Sequence, residues 1–227
     1  MGLPAICGLA EKYDRIFLGM NNRRIQEIAD FPENVVDVLS KEPEFSLREM
    51  PVYVIGIAAA IEYTFFQSML STIRCVFRLV GLPIPDETPR PRIKEYSGPP
   101  VPSYDVILAP FTSADERTLT VDQVKNLCNR IPGSIGILGG DDNPEILSLK
   151  SIYHRPFDEA AQYLRQAKVV VAVDSFGGRL AHAAGVKNHI VVNSGATPVQ
   201  CQTYPGATVM PREDVDAIAN KVLELLG

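Results

Sequence analysis

A chain of 227 residues with 46% apolar and 22% charged side chains is long enough to bury a proper core and too apolar for a disordered protein. Its net charge of −5 is spread evenly, with 11 Lys/Arg against 13 Asp/Glu over residues 1–100 and 11 against 14 beyond. No basic half or basic run therefore offers itself to a nucleic-acid backbone. Four scattered cysteines (Cys7, Cys75, Cys128, Cys201) and three histidines (His154, His182, His189) suit neither a disulfide framework nor a zinc site, and fit a reducing compartment.

The N-terminal stretch MGLPAICGLAEKY has no basic segment and its apolar run stops at Glu11, which argues against a signal peptide. Met-Gly at the start is followed by Ile6 where a myristoylation signal has Ser or Thr. Residues 3–12 are expected to form a helix and Arg15–Gly19 a strand, followed by a helix over NRRIQEIADF and a strand over NVVDVLS. A long helix is expected over about 57–80, with Phe65, Met69, Ile73 and Phe77 along one face. The most apolar run, Pro51–Ile61, ends at Glu62, short of the roughly 20 residues of a membrane span, so a soluble, cytoplasmic protein is expected. From Gly81 to Asp105 repeated prolines hold the chain extended and mark a linker.

The second half alternates more clearly. Strands are expected over Tyr104–Pro110, Ser134–Gly140, Lys168–Asp174 and Asn188–Asn193, and helices over Thr120–Ile131, Phe157–Ala167, Gly177–Gly185 and Asp214–Leu226. Thr120 is placed to cap the first of these helices, and Gly185 to stop the third. Nearly uniformly apolar strands between amphipathic helices require a parallel sheet covered on both faces. The expected organisation is α/β throughout. Residues 1–85 form an N-terminal α/β domain short of strands, 86–104 the proline-rich linker, and 105–227 a doubly wound, Rossmann-like domain.

Ligands of an open parallel sheet sit beyond the carboxyl ends of its strands, and three such ends here carry polar or glycine-rich turns. In VVVAVDSFGGRLAHAAG, Gly177-Gly178 would let a ligand approach the backbone, while the helix start offers free amides and a positive dipole. Ser175 adds a hydroxyl, Arg179 a cation, and Asp174 an acceptor for turn amides or a ligand hydroxyl. The set suits a phosphate; close packing and a simple helix cap suit it equally. In APFTSADERTLT, Thr112, Ser113 and Arg117 could hold phosphate oxygens beside the opposing charges of Asp115 and Glu116, or the stretch is a solvated loop. In GGDDNPE, Asp141, Asp142 and Glu145 suit ribose hydroxyls, or simply make a turn before a helix. Three such ends around one sheet fit a sugar nucleotide better than any one alone.

ILAPFTSADERTLTVDQVKNL, GILGGDDNPE and QAKVVVAVDSFGGRLAHAAGVKNHIVV, in that order, resemble the C-terminal domain of glycosyltransferase family 9, the ADP-heptose:lipopolysaccharide heptosyltransferases and their relatives. The resemblance covers about 105–198, with LPAICGLAEKYDRIFLG similar to the family's first helix and second strand. It implies a two-domain GT-B fold, with the N-terminal domain incomplete. It also implies an inverting, metal-independent enzyme that moves a sugar from a nucleoside-diphosphate sugar to a glycan or lipid-linked acceptor, with no further cofactor. The family's diphosphate turn matches Asp174-Ser175-Phe176-Gly177-Gly178-Arg179, its basic loop residue matches Arg117, and its ribose carboxylate falls at Asp141, Asp142 or Glu145. The motif histidine of the family falls at Arg179; His182, about one helical turn on, is the candidate to replace it, and its alanine-rich helix also suits a structural histidine.

The family opens with a strand and a glycine-rich loop whose acidic residue is the usual base. This chain starts at Met1-Gly2-Leu3-Pro4, where that loop would be ending, so the strand and the acid are expected to be lacking. Asp14, Glu27 and Asp30 offer no context for a base, and the catalytic residue stays unassigned. The rival reading is a catalytically inactive nucleotide-binding or scaffold protein derived from such an enzyme. An unpaired sheet edge near residue 15 would then receive a partner chain or a second copy. An epimerase of the same fold would need further acids and histidines.

Overall fold

The computed structural model describes residues 3–18, 29–37, 74, 77–78, 81–87, 89–112, 115–139, 151–152, 156–193 and 206–227. The chain divides into two units, residues 1–94 and 95–227.

In the first unit, helix α1 (Leu3–Lys12) leads to strand β1 (Ile16–Leu18), which pairs in parallel with β2 (Val35–Asp37). Asn34 secures the arrangement: its side-chain amide donates to the carbonyls of Ala10 (2.7 Å) and Tyr13 (2.8 Å), tying the end of α1 to the start of β2. Ala5 on α1 packs against Phe77 and Leu82. Among the described residues β1 has a strand on one edge only. The expected helix over NRRIQEIADF lies almost wholly outside the described residues, and its last residues contribute an antiparallel bridge between Ala29 and Ile93. Of the helix expected over 57–80, only Arg74, Phe77 and Arg78 are described, and they are helical.

The second unit holds a six-stranded parallel sheet. Its strands are β3 (Val106–Ala109), β4 (Ile135–Leu138), β5 (Ser151–Ile152), β6 (Val169–Val173), β7 (His189–Asn193) and β8 (Ala207–Pro211). The spatial order β5-β4-β3-β6-β7-β8 starts in the middle at β3, grows outward to β5, then crosses back to β6 and grows the other way. This is the doubly wound order, and it reverses between β3 and β6. Helices α2 (Val121–Arg130), α3 (Phe157–Gln166), α4 (Phe176–Ala184) and α5 (Val215–Leu226) run beside it. Four strands were expected; the two extra ones are the sheet's edges.

Strand alternation sorts the core into two layers. Val106, Leu108, Val171 and Ile190 share one layer with Leu127 of α2 and Ile218 of α5. The opposite side of β3 and β6 meets α4, which also packs against α3. All five residues of β6 are buried, each valine contributing about 1.5–2 kcal/mol of apolar burial.

At the amino ends of the strands, Asp105 ties three of them together. One carboxylate oxygen accepts from the Ser134 amide (2.8 Å) and hydroxyl (2.9 Å) before β4, and the other pairs with Lys168 before β6 (2.8 Å). The Lys168 ammonium first, then the Ser134 donors, hold this carboxyl well below the usual carboxylate range. Gly133 is required beside it: its φ is +94°, and a Cβ there would lie 2.6 Å from the Asp105 carboxylate.

Candidate functional site

The reversal of strand order between β3 and β6 opens a crevice at their carboxyl ends, and the turn after each strand closes on it. After β3 the chain runs through Thr112 into a 3-10 turn, Asp115–Arg117. The Thr118 hydroxyl clasps this loop: it accepts from the Thr112 amide (3.1 Å) and donates to the Thr112 carbonyl (3.2 Å). The clasp, with Leu119 N–H bonded to Pro110 O at 2.9 Å, turns Arg117 back over the sheet. Its guanidinium Nη1 donates to the carbonyl of Asp174 at 3.0 Å. Two of the three expected strand-end turns are thus joined across the switch point.

After β6, Asp174 and Ser175 form the turn into α4. Asp174 is only 4% exposed, and its Oδ1 has no hydrogen-bond partner among the described residues. A buried acceptor without a donor is costly, so this oxygen calls for a donor that the described residues do not supply. Ser175 sits at the N-cap position in extended geometry, yet its side chain caps nothing. The first intrahelical bond runs from Arg179 N–H to the Ser175 carbonyl (3.2 Å), so the amides of Phe176, Gly177 and Gly178 precede the helical ladder. Arg179 is exposed one turn into α4, and Phe176 is half-exposed with its ring 4.8 Å from that of Phe157.

Of the two uses open to the glycines, ligand approach and close packing, the structure supports packing. Both are buried. A Cβ on Gly177 would lie 2.7 Å from the Ala109 Cβ, and one on Gly178 3.3 Å from the Val173 carbonyl. The space their missing side chains leave is filled by the sheet, so close helix–strand packing accounts for them. Ligand approach is then left to the amides at the helix tip.

His182 is not brought to this turn. It lies six residues along α4 from Phe176, about 9 Å down the axis, and is buried. Its imidazole is close enough to influence that of His189, at the amino end of β7. This is the position of a core residue between helix and sheet. Burial, and then the neighbouring His182, push His189 down to about 4. Ser113, Asp141, Asp142 and Glu145 lie outside the described residues, so the expected ribose carboxylate is not located.

Two residues missed from sequence hold the loop in place. Thr118 is one, with its hydroxyl six residues from Thr112 in a stretch that reads only as polar. The other is Arg212, just after β8, whose Nη1 donates to the Thr118 carbonyl at 3.3 Å. Neither has a local signal, and β8 itself, a short proline-flanked edge strand, was not expected.

Among the described residues no three His, Cys, Asp or Glu side chains converge as metal ligands. Burial pushes the Cys7 and Cys128 thiols up, away from thiolate chemistry at neutral pH. No helix among the described residues is long and apolar enough to cross a membrane.

No protein-family model matches the chain, and no curated protein matches it in sequence. Solved structures do. The E. coli heptosyltransferase WaaC with ADP aligns over 68% of this chain and 55% of its own, at 15% identity and a TM-score of 0.52. The dodecameric iron-containing heptosyltransferase TibC, in complex with ADP-D-beta-D-heptose, aligns over 99% of this chain and 72% of its own, at 12% identity and a TM-score of 0.57. A second TibC structure, from enterotoxigenic E. coli H10407, covers 88% of this chain and 57% of that one, at 14% identity and a TM-score of 0.56. The chain thus spans about half the length of WaaC. At these identities the likeness is one of fold, and the fold is the α/β, GT-B-like architecture of the heptosyltransferases.

Proposed function

We propose that the chain binds a nucleoside-diphosphate sugar at the β3/β6 switch point and acts as a glycosyltransferase, moving the sugar to a glycan or lipid-linked acceptor. The observation that carries this is the junction of Arg117 with the Asp174 turn, which brings together a guanidinium, the amides at the start of a helix and a buried carboxylate oxygen with no partner among the described residues. In the structural neighbours the bound groups named are ADP and ADP-D-beta-D-heptose, which supports a nucleotide reading of the shared fold.

The roles follow from charge. Arg117 and Arg179 neutralise the diphosphate, and the amides of Phe176, Gly177 and Gly178 donate to its oxygens at the positive end of α4. Asp174 Oδ1 accepts from a ligand hydroxyl or amide. When the glycosidic bond breaks, negative charge grows on the departing diphosphate, and cations already in place stabilise it without reorganisation. This arrangement calls for no divalent ion at the diphosphate.

Thermal unfolding of the purified chain with ADP, UDP, GDP, CDP and TDP tests the reading. A nucleotide at 100 times its dissociation constant should stabilise the protein by roughly 2.7 kcal/mol, and Arg117→Ala should remove most of that gain. No shift with any nucleotide would sink the proposal. Binding without hydrolysis or transfer of the matching nucleotide sugar would leave a nucleotide-binding scaffold in its place.

A further inference from the structure

Arg212 lies 95 residues beyond Arg117 in the chain, on the turn that follows the edge strand β8, yet it is built into the loop that carries Arg117. Its backbone is held on both sides. The Arg212 amide donates to the Asn193 carbonyl at the end of β7 (2.8 Å), and its carbonyl accepts from the side-chain amide of Gln123 (3.0 Å). Gln123 is itself fixed, because it completes the capping box with Thr120 at the start of α2. From this anchored base the guanidinium reaches the Thr118 carbonyl at 3.3 Å, on the residue next to Arg117. Thr118 in turn closes the loop through Thr112.

We infer that Arg212 is a positioning residue for Arg117, and so for diphosphate binding; this rests on the nucleotide reading above. The Arg212 side chain is 27% exposed, and Glu213 Oε1 lies 3.7 Å from its Nε, so a neighbouring carboxylate offsets part of its charge. What Arg212 supplies to the site is geometry: the Thr118 carbonyl is fixed, the 3-10 turn cannot swing, and Arg117 stays within reach of the Asp174 turn. An Arg117 held in advance binds an anion without the loss of rotamer and loop freedom that a mobile one incurs. The edge strand β8 thereby acts on a crevice at the middle of the sheet.

A double-mutant cycle separates this from a simple loss of positive charge. Affinity for the tightest-binding of ADP, UDP, GDP, CDP and TDP is measured for the full chain, Arg212→Ala, Arg117→Ala and the double variant, with Arg212→Lys as the conservative change. Arg212→Ala should weaken binding about tenfold in the presence of Arg117 and less than twofold in its absence. Arg212→Lys keeps the charge but not the fork of donors, and should recover at most part of the loss. Equal losses in both backgrounds, or full recovery with lysine, would mean a charge effect and overturn the inference. Hydrogen exchange at the Thr112 and Leu119 amides reads the tether without any ligand. Arg212→Ala should speed both about tenfold or more, and unchanged exchange would also overturn it. Fast exchange in the variant of a protein that binds no nucleotide would leave the tether standing and remove only the nucleotide reading.

Discussion

Single residues in this protein carry consequences that depend on what surrounds them. His189 is 2% exposed at the start of β7, beside His182, and burial keeps it neutral down to about pH 4. The unfolded chain takes up that proton near pH 6.5, so between the two values the unfolded state binds more protons and stability falls as the pH falls. The span is worth on the order of 3 kcal/mol. Urea unfolding at pH 7 and pH 4.5 should therefore show a loss that His189→Leu reduces; an identical loss in the variant would place the acid sensitivity elsewhere. Asp105 acts lower on the scale. Its depressed carboxyl stabilises the fold above about pH 4, and that contribution goes as the Lys168 and Ser134 bonds are broken by protonation. Such effects are invisible in a string of letters: a histidine in HAAG and one in NHIVV look equally ordinary until both prove to lie between one helix and one sheet.

Among the elements, α4 is constrained at both ends. It ends where expected, at Gly185 in the left-handed region (φ 79°), with the amides of Gly185 and Val186 returning to carbonyls of the last turn. Its start is set by contact. Gly177→Ala would drive a methyl to 2.7 Å from the Ala109 Cβ, and lifting the helix should cost about 1–3 kcal/mol. Pairing it with Ala109→Gly should return part of that stability in the same unfolding assay; no recovery would show that the clash lies elsewhere. Helix α2 is held by local chemistry instead. Thr120 accepts from the Gln123 amide (3.2 Å), and the Gln123 side chain accepts from the Thr120 amide (2.9 Å). Thr120→Ala should cost about 1 kcal/mol by thermal unfolding, and Gln123→Ala should in addition loosen Arg212.

At the scale of the molecule, residues 95–227 hold a sheet with a helix layer on each side and a core that is internal to the unit. Such a unit has what a domain needs to fold alone. Residues 95–227 produced separately should unfold in one cooperative transition and keep the nucleotide affinity of the full chain to within a few fold. A broad or absent transition would show that the core needs residues 1–94. Both turns of the proposed diphosphate site, after β3 and after β6, belong to this unit, and the strand order of its sheet sets them side by side.

The sequence by itself determined the local layer of this protein. Apolar strands between amphipathic helices, the Thr120 cap, the Gly185 stop and the Asp174-Ser175 turn are all written within a few residues of one another, and the structure reproduces them nearly to the residue. Arg117 and the Asp174 turn were both singled out and expected around one ligand. Their direct contact comes only from the tertiary structure, because adjacency of β3 and β6 comes from strand pairing across some 60 residues of chain, which no short-range pattern encodes. The same limit explains the other differences. A two-residue strand such as β5 has too few residues to show a period. A glycine pair announces missing side chains without saying what fills the space, and here the sheet fills it. Arg212 gives no local signal, because its partners are a threonine carbonyl 94 residues away and a glutamine 89 away. Propensity and capping act within a turn of chain, whereas a site at a strand-order reversal is made by contacts that exist only after the sheet has assembled.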